Sequence, residues 1–190
     1  MARTPQVFAV HRDTGLRDLS LADLTALHRE EVFRLPSGQR LRPVLRPDGS
    51  GTVRGVASLA PGLAAAMRLA QQRAGMLRAV DELEALRLIE EVPGAVGAVT
   101  LAAMLASRRP LVALAFEGRV PSVAELEARR YPLQRQFYVV STPLPSPKVL
   151  GFVSFIRSDV ARATLATLGC STRLSAEHGT ATAPARVGAA

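Results

Sequence analysis

The chain has 190 residues, 48% of them hydrophobic, which is enough to bury a core as one domain or two small lobes. Its formal charge of +8 comes from 24 Lys+Arg against 16 Asp+Glu, with Lys148 the single lysine, and favours anionic partners. The arginines are scattered, the longest basic runs are pairs such as Arg108-Arg109 and Arg129-Arg130, and no aromatic residues interleave them, so the pattern argues for a solvated arginine-rich surface and against nucleic acid.

Taken in order, strand-like and helical segments alternate. Val7-Phe8-Ala9-Val10 suits a short buried strand, and Ser20-Leu21-Ala22-Asp23 caps a helix running to about Glu30. Pro36-Ser37-Gly38 turns the chain into an extended segment, Leu41 to Leu45, which delivers it to the loop Arg46-Pro47-Asp48-Gly49-Ser50-Gly51-Thr52. Thr52 to Leu59 reads as helical, and Pro61 opens another helix with Leu63, Ala66, Met67 and Ala70 on its apolar face. A helix over Val80 to Glu91 shows Val80, Leu83, Leu86, Ile89 and Val92 on one face and ends at Pro93-Gly94. Ala95 to Leu101 and Leu111 to Phe116 are buried apolar runs, and Ser122 to Glu125 is a capping box. Gln136 to Val140 is a strand, Pro147 opens a helix through Phe152 and Phe155, and Ser158 starts a last helix that ends at Gly169. This alternation predicts an α/β layered fold, followed by a disordered Ala/Thr/Gly/Pro tail over 175–190.

The chemistry concentrates in the loop from Arg46 to Thr52. Gly49 and Gly51 let successive backbone N–H groups turn toward one point, and Ser50 and Thr52 add hydroxyl donors. A helix opening at Thr52 would add its free N–H groups. Arg46 enters from the preceding strand with a fork suited to a tetrahedral oxyanion, and Asp48 stands close enough in sequence to orient it. The spacing is neither that of a P-loop nor that of a nucleophile elbow. Elsewhere the chemistry is sparse. His11, His28 and His178 lack ligand spacing, so no metal and no cofactor is expected. Cys170 stands alone, which excludes an intramolecular disulfide, and Glu30-Glu31 and Glu90-Glu91 read as solvated charge at helix ends.

In order along the chain, several segments resemble the phosphate-binding proteins of ABC transporters, two-lobed type II periplasmic binding proteins. The segments are Leu19-Ser20-Leu21-Ala22-Asp23-Leu24, the full loop Arg46 to Thr52, Val92-Pro93-Gly94-Ala95-Val96-Gly97 and Glu117-Gly118-Arg119-Val120-Pro121-Ser122. They continue with Tyr131-Pro132-Leu133-Gln134-Arg135 and with Phe152-Val153-Ser154-Phe155-Ile156-Arg157-Ser158. Ala98 replaces the family's usual aromatic. The resemblance covers residues 7 to 170.

The resemblance implies a mixed sheet flanked by helices, with phosphate or a related oxyanion held by Arg46, Ser50, Gly51 and Thr52, supported by Asp48 and Gly49. It implies binding without turnover, in the periplasm or at the cell surface, in partnership with transporter membrane subunits. It also implies an incomplete two-lobe architecture: a crossing strand over 1–12, the second lobe over 13–136, and a returning strand with first-lobe helices over 137–174. The family's first lobe would precede the crossing strand and supply the rest of the ligand shell, including the carboxylate that accepts the proton of phosphate. The chain alone is therefore expected to bind weakly and with poor selectivity unless a separate first-lobe polypeptide joins it. Phe152, Phe155, Ile156, Leu165 and Leu168 would lack their sheet partner, leaving an exposed face or one covered in a homodimer. The apolar run at Val7 to Val10 is shorter than a signal-peptide core, so the sequence as written shows no export signal and would stay cytoplasmic. Two other readings are a truncated or regulatory module derived from such a protein and a phosphoryl-handling enzyme. The second would need a convergent acid, base or metal that the sequence does not display.

Overall fold

In the computed structural model, which describes residues 2–30 and 32–173, the molecule is organised on its first strand, β1 (Ala2–His11). A 3-10 turn over Arg12–Thr14 leads to β2 (Asp18–Leu19), α1 (Leu21–Arg29), β3 (Phe33–Arg34), β4 (Arg40–Leu45), α2 (Gly51–Ala57) and α3 (Pro61–Gln72). There follow β5 (Leu77–Arg78), α4 (Glu82–Glu91), β6 (Ala95–Thr100), α5 (Leu101–Ser107), β7 (Leu111–Ala113) and β8 (Ala115–Phe116). The described chain closes with α6 (Val123–Glu127), β9 (Gln134–Phe137), α7 (Pro147–Ile156) and α8 (Asp159–Thr167). The predicted tail over 175–190 lies outside the described residues.

The sheet is mixed. Strand β4 runs parallel to β6 on one side and to β5 on the other, β6 is antiparallel to β1, and β1 is antiparallel to β7. Period-2 alternation in β1 sends Phe8 and Val10 into a core with Leu24, Leu27, Val56 and Leu63, beneath α1, α2 and α3. Val7 and Ala9 enter the opposite core with Ala85, Leu86, Ile89 and Met104, beneath α4 and α5. Each large side chain so buried contributes roughly 1.5–3 kcal/mol. Gly97 lets α4 settle close to the sheet, since a Cβ there would fall 2.9 Å from Ile89 Cδ1 and 3.2 Å from Val44 Cβ. The mixed sheet flanked by helices is the fold the sequence predicts.

The strand β1 changes partner along its length. Residues Gln6 to Val10 pair with β6, whereas Ala2 to Pro5 pair antiparallel with β9, with Thr4 opposite Arg135. The outer end of β1 is also bridged to Ser171 and receives the turn after α8, where Thr4 Oγ1 donates to Gly169 O at 2.9 Å.

Several predicted elements differ in extent, the strand expected over Val7 to Val10 running from Ala2 to His11. The helix expected from Val80 starts at Glu82, because Asp81 accepts from the Glu84 N–H at 2.8 Å and acts as the cap. Val80 and Leu83 are consequently 75% and 72% exposed, and the buried face is Ala85, Leu86 and Ile89. The run Leu111 to Phe116 is divided between two sheets: β7 joins β1, while β8 pairs in parallel with β2. The strand expected over Gln136 to Val140 is Gln134–Phe137, its register closing where Ala2 faces Phe137. Past that pair no ladder among the described residues holds Tyr138 to Val140, which are exposed.

Helix α7 has no buried residue, and Phe152 and Phe155 are 58% and 55% exposed, while Ile156, Leu165 and Leu168 are half-buried. The double substitution Phe152→Ser, Phe155→Ser is expected to shift urea-unfolding stability by no more than about 0.5 kcal/mol per site while reducing the binding of an apolar-surface dye. A loss above about 2 kcal/mol would show that these rings are packed in solution.

Candidate functional site

Because β4, β5 and β6 are mutually parallel where they pair, their carboxyl ends lie along one edge of the sheet, and the loop Arg46 to Thr52 leaves the sheet from that edge. Loops at such strand ends are the usual ligand positions of α/β sheets. The turn closes with the Ser50 N–H donating to Pro47 O at 3.1 Å, and Gly49 at φ +79° supplies a backbone geometry that a side chain would strain. Ser50 caps α2, its Oγ accepting from the Val53 N–H at 3.2 Å and its carbonyl from the Arg54 N–H at 3.0 Å. Arg54 also donates to Gly49 O, tying the helix back to the turn. The hydroxyl hydrogen of Ser50 therefore stays available, as do the N–H groups of Gly51 and Thr52, for which no acceptor exists among the described residues.

Arg46 follows directly on β4. Its carbonyl accepts from Gln71 Nε2 at 2.7 Å, and Arg78 donates to Gln71 Oε1 and to Gln71 O, both at 2.6 Å, so the backbone of Arg46 is held by two layers of hydrogen bonds. Its guanidinium is another matter: Nε and Nη1 are sealed from solvent and have no partner among the described residues. A buried donor left in that condition costs on the order of 1–3 kcal/mol. Burial pushes the Arg46 guanidinium below its ordinary value, Glu82 and Asp81 oppose the shift, Arg135 adds to it, and Glu84 opposes it again. Those three carboxylates are occupied, Glu82 with the Thr100 N–H, Asp81 with the Glu84 N–H and Glu84 with the Val80 N–H. Asp48 sits exposed in the turn and makes no hydrogen bond or ion pair with Arg46 among the described residues.

Three further residues shape the loop. Gln6, buried at the point where β1 changes partner, donates Nε2 to Thr52 O at 3.1 Å, and Gly55 gives it room. Gln71 holds Arg46 as described. Arg135 on β9 lays its guanidinium against Gly51, where a Cβ would overlap it. The sequence signal for Arg135 was its place at the end of the Tyr131 to Arg135 segment, but nothing local assigned it to the loop.

Arg46 and Thr52 also line a small cavity of about 40 Å³ together with His28, Gln71, Phe8 and Val56. No group of three or more His, Cys, Asp or Glu able to hold a metal occurs among the described residues, and none of their helices is long and apolar enough to cross a membrane. Glu90 and Glu91 pair with Arg109 and Arg87. Cys170 is buried, and burial pushes its thiol up, against a hydrogen bond from Thr4.

Residues 1–160 match the family model of the PBP superfamily domain. The chain belongs to that family. Among solved structures, this PBP superfamily chain is similar to a Clostridium perfringens protein described as a phosphate ABC transporter substrate-binding protein with bound phosphate. The TM-score is 0.71 at 16% identity, over 89% of this chain and 68% of that one. It is also similar to PstS from Borrelia burgdorferi (TM-score 0.60, 16% identity, 89% and 69% covered). A third neighbour is an ABC-type phosphate transport receptor from Vibrio cholerae (TM-score 0.58, 18% identity, 89% and 69% covered). At these identities the likeness establishes the fold. No curated protein matches the sequence significantly.

His28, in the wall of the cavity, is buried with Nδ1 2.8 Å from Leu24 O. Burial is the main cause holding its pKa below 6.5, the Leu24 carbonyl raises it, and Arg73 lowers it. A histidine whose folded value is depressed binds fewer protons folded than unfolded just below pH 6.5, so its contribution is present above that pH and lost as pH falls toward the folded value. Urea midpoints measured from pH 7.5 down to 5 should fall, and His28→Gln should flatten the fall. A slope unchanged in the variant would assign the effect to other groups.

Proposed function

We propose that this chain is the substrate-binding component of an ABC transporter, or a part of one, and that it holds inorganic phosphate or a similar oxyanion without turning it over. The observation that carries the reading is the buried, unpartnered Nε and Nη1 pair of Arg46. Beside it stands a helix start whose Gly51 and Thr52 N–H groups and Ser50 hydroxyl have donors to give. Buried donors without acceptors are stabilised by an anion that accepts from several of them at once, and the guanidinium fork matches a tetrahedral oxyanion. The name of the Clostridium perfringens neighbour, with its bound phosphate, supports the same ligand.

The reading extends to organisation. Residues 13–136 form the lobe that carries the loop, and the ribbon of β1 with β9 leads out of it toward the body to which 137–174 belong. The exposed apolar face of α7 and α8 is the surface on which further polypeptide would pack, a second copy being one such cover. A setting in the periplasm or at the cell surface fits a transporter partner.

Isothermal titration with inorganic phosphate tests the reading. Arg46→Ala removes the charge-assisted hydrogen bonds and should weaken binding more than about tenfold, with Ser50→Ala weakening it less. Wild-type protein that takes up no phosphate at millimolar concentration, or an Arg46→Ala variant that binds as wild type, would overturn it.

A further inference from the structure

Resting on the phosphate reading, we propose that Arg135 is a second guanidinium of the same site, and that the loop is built for a tetrahedral dianion gripped between Arg46 and Arg135. The backbone of Arg135 is placed by β-ladder geometry. Arg135 stands opposite Thr4, and the Gln6 N–H donates to Leu133 O at 3.1 Å, so β9 is anchored to the strand whose Gln6 side chain holds Thr52. The side chain then reaches the first residue of α2. A Cβ built on Gly51 would lie 2.6 Å from Arg135 Cζ and 2.8 Å from Nη2, so any residue other than glycine at position 51 displaces the guanidinium.

Arg87, Arg109, Arg130 and Arg162 each face a carboxylate, but Arg135 has neither hydrogen bond nor ion pair among the described residues. Its nearest electrostatic consequence is to disfavour the charge on Arg46. Two guanidinium groups close enough to repel, one of them with sealed, unpartnered donors, are stabilised together by an anion that both can reach. A dianion neutralises the pair, whereas a monoanion leaves one positive charge uncompensated in a partly dehydrated site. The inference thus assigns a specificity role: Arg135 sets preference by ligand charge, and Gly51 is glycine so that Arg135 fits.

The test is titration of the full chain with inorganic phosphate at pH 8, with sulfate as the dianionic and nitrate as the monoanionic competitor. Arg135→Gln should weaken phosphate about ten- to hundredfold, the loss of one or two charge-assisted hydrogen bonds, and should narrow the preference for phosphate and sulfate over nitrate. Arg135→Lys should restore part of both. Gly51→Ala, a change on the opposite wall, should reproduce the loss by displacing the guanidinium, and it keeps the inference testable if Arg135→Gln folds poorly. Phosphate binding within threefold of wild type in Arg135→Gln, alongside loss in Arg46→Ala, overturns the role of Arg135 and leaves the phosphate reading standing. Equal weakening toward phosphate, sulfate and nitrate in both Arg135→Gln and Gly51→Ala also overturns it, because a purely structural role would not discriminate by charge. Wild-type protein that binds no phosphate overturns both.

Discussion

The strand β1 carries two ladders in succession, and the handover between them at Pro5 and Gln6 fixes where everything else at the site can lie. From Gln6 to Val10 the strand pairs with β6, with β7 joining its other side from Ala9, and it feeds both hydrophobic cores by simple alternation. Before Gln6 it leaves the sheet's interior with β9. The buried amide of Gln6 stands at the junction and bonds to Thr52 O, so the strand that organises the core also registers the loop. Losing that amide would remove a side-chain hydrogen bond that ties the loop to β1, a contribution of about 0.5–1.5 kcal/mol.

Around that junction the electrostatics are arranged in one direction. The carbonyls near Arg46 and at the end of α1 are satisfied by arginines and glutamine: Gln71 on Arg46 O, Arg78 on Gln71, and Arg73 on the last carbonyls of α1. The carboxylates at the head of α4 are spent on backbone N–H groups. Among the described residues, donors left without an acceptor there are the Arg46 Nε and Nη1, the first N–H groups of α2, and the Arg135 guanidinium. Net charge alone says only that the surface is basic. The distribution of satisfied and unsatisfied donors is the observation on which the proposed anion site rests.

Much of this was legible in the sequence because it is written in local signals. Ser20, Pro61, Pro147 and Ser158 mark helix starts through capping or through the fixed geometry of proline, and each stands at the head of a helix in the structure. The loop itself was readable because two glycines, two hydroxyls and an arginine fall within seven residues. What local signals cannot carry is competition among partners. Asp81 outcompetes the apolar periodicity of Val80 and Leu83 in setting where α4 begins, and β1 and β2 divide the run from Leu111 to Phe116 between two sheets. Arg135 was readable as part of a segment but not as a neighbour of Gly51, because that contact exists only once β9 has paired with β1. For Asp48 the reverse holds: proximity in sequence placed it beside Arg46, while the turn at Gly49 leaves it exposed and without a bond to that guanidinium.

The ribbon of β1 and β9 also has a mechanical side. Where β1 lies between β6 and β7, bending it means shearing a multi-stranded sheet against two packed cores. Where it pairs with β9 over four residues, with Arg3 bridged on its other side to Ser171, it is a narrower band with less resistance to torsion. Any torque applied through the outer part of the molecule is therefore absorbed near Pro5 and Gln6. Arg135 rides on the compliant band and Arg46 on the stiff sheet, so the distance between the two guanidinium groups is the coordinate that such a twist would change first.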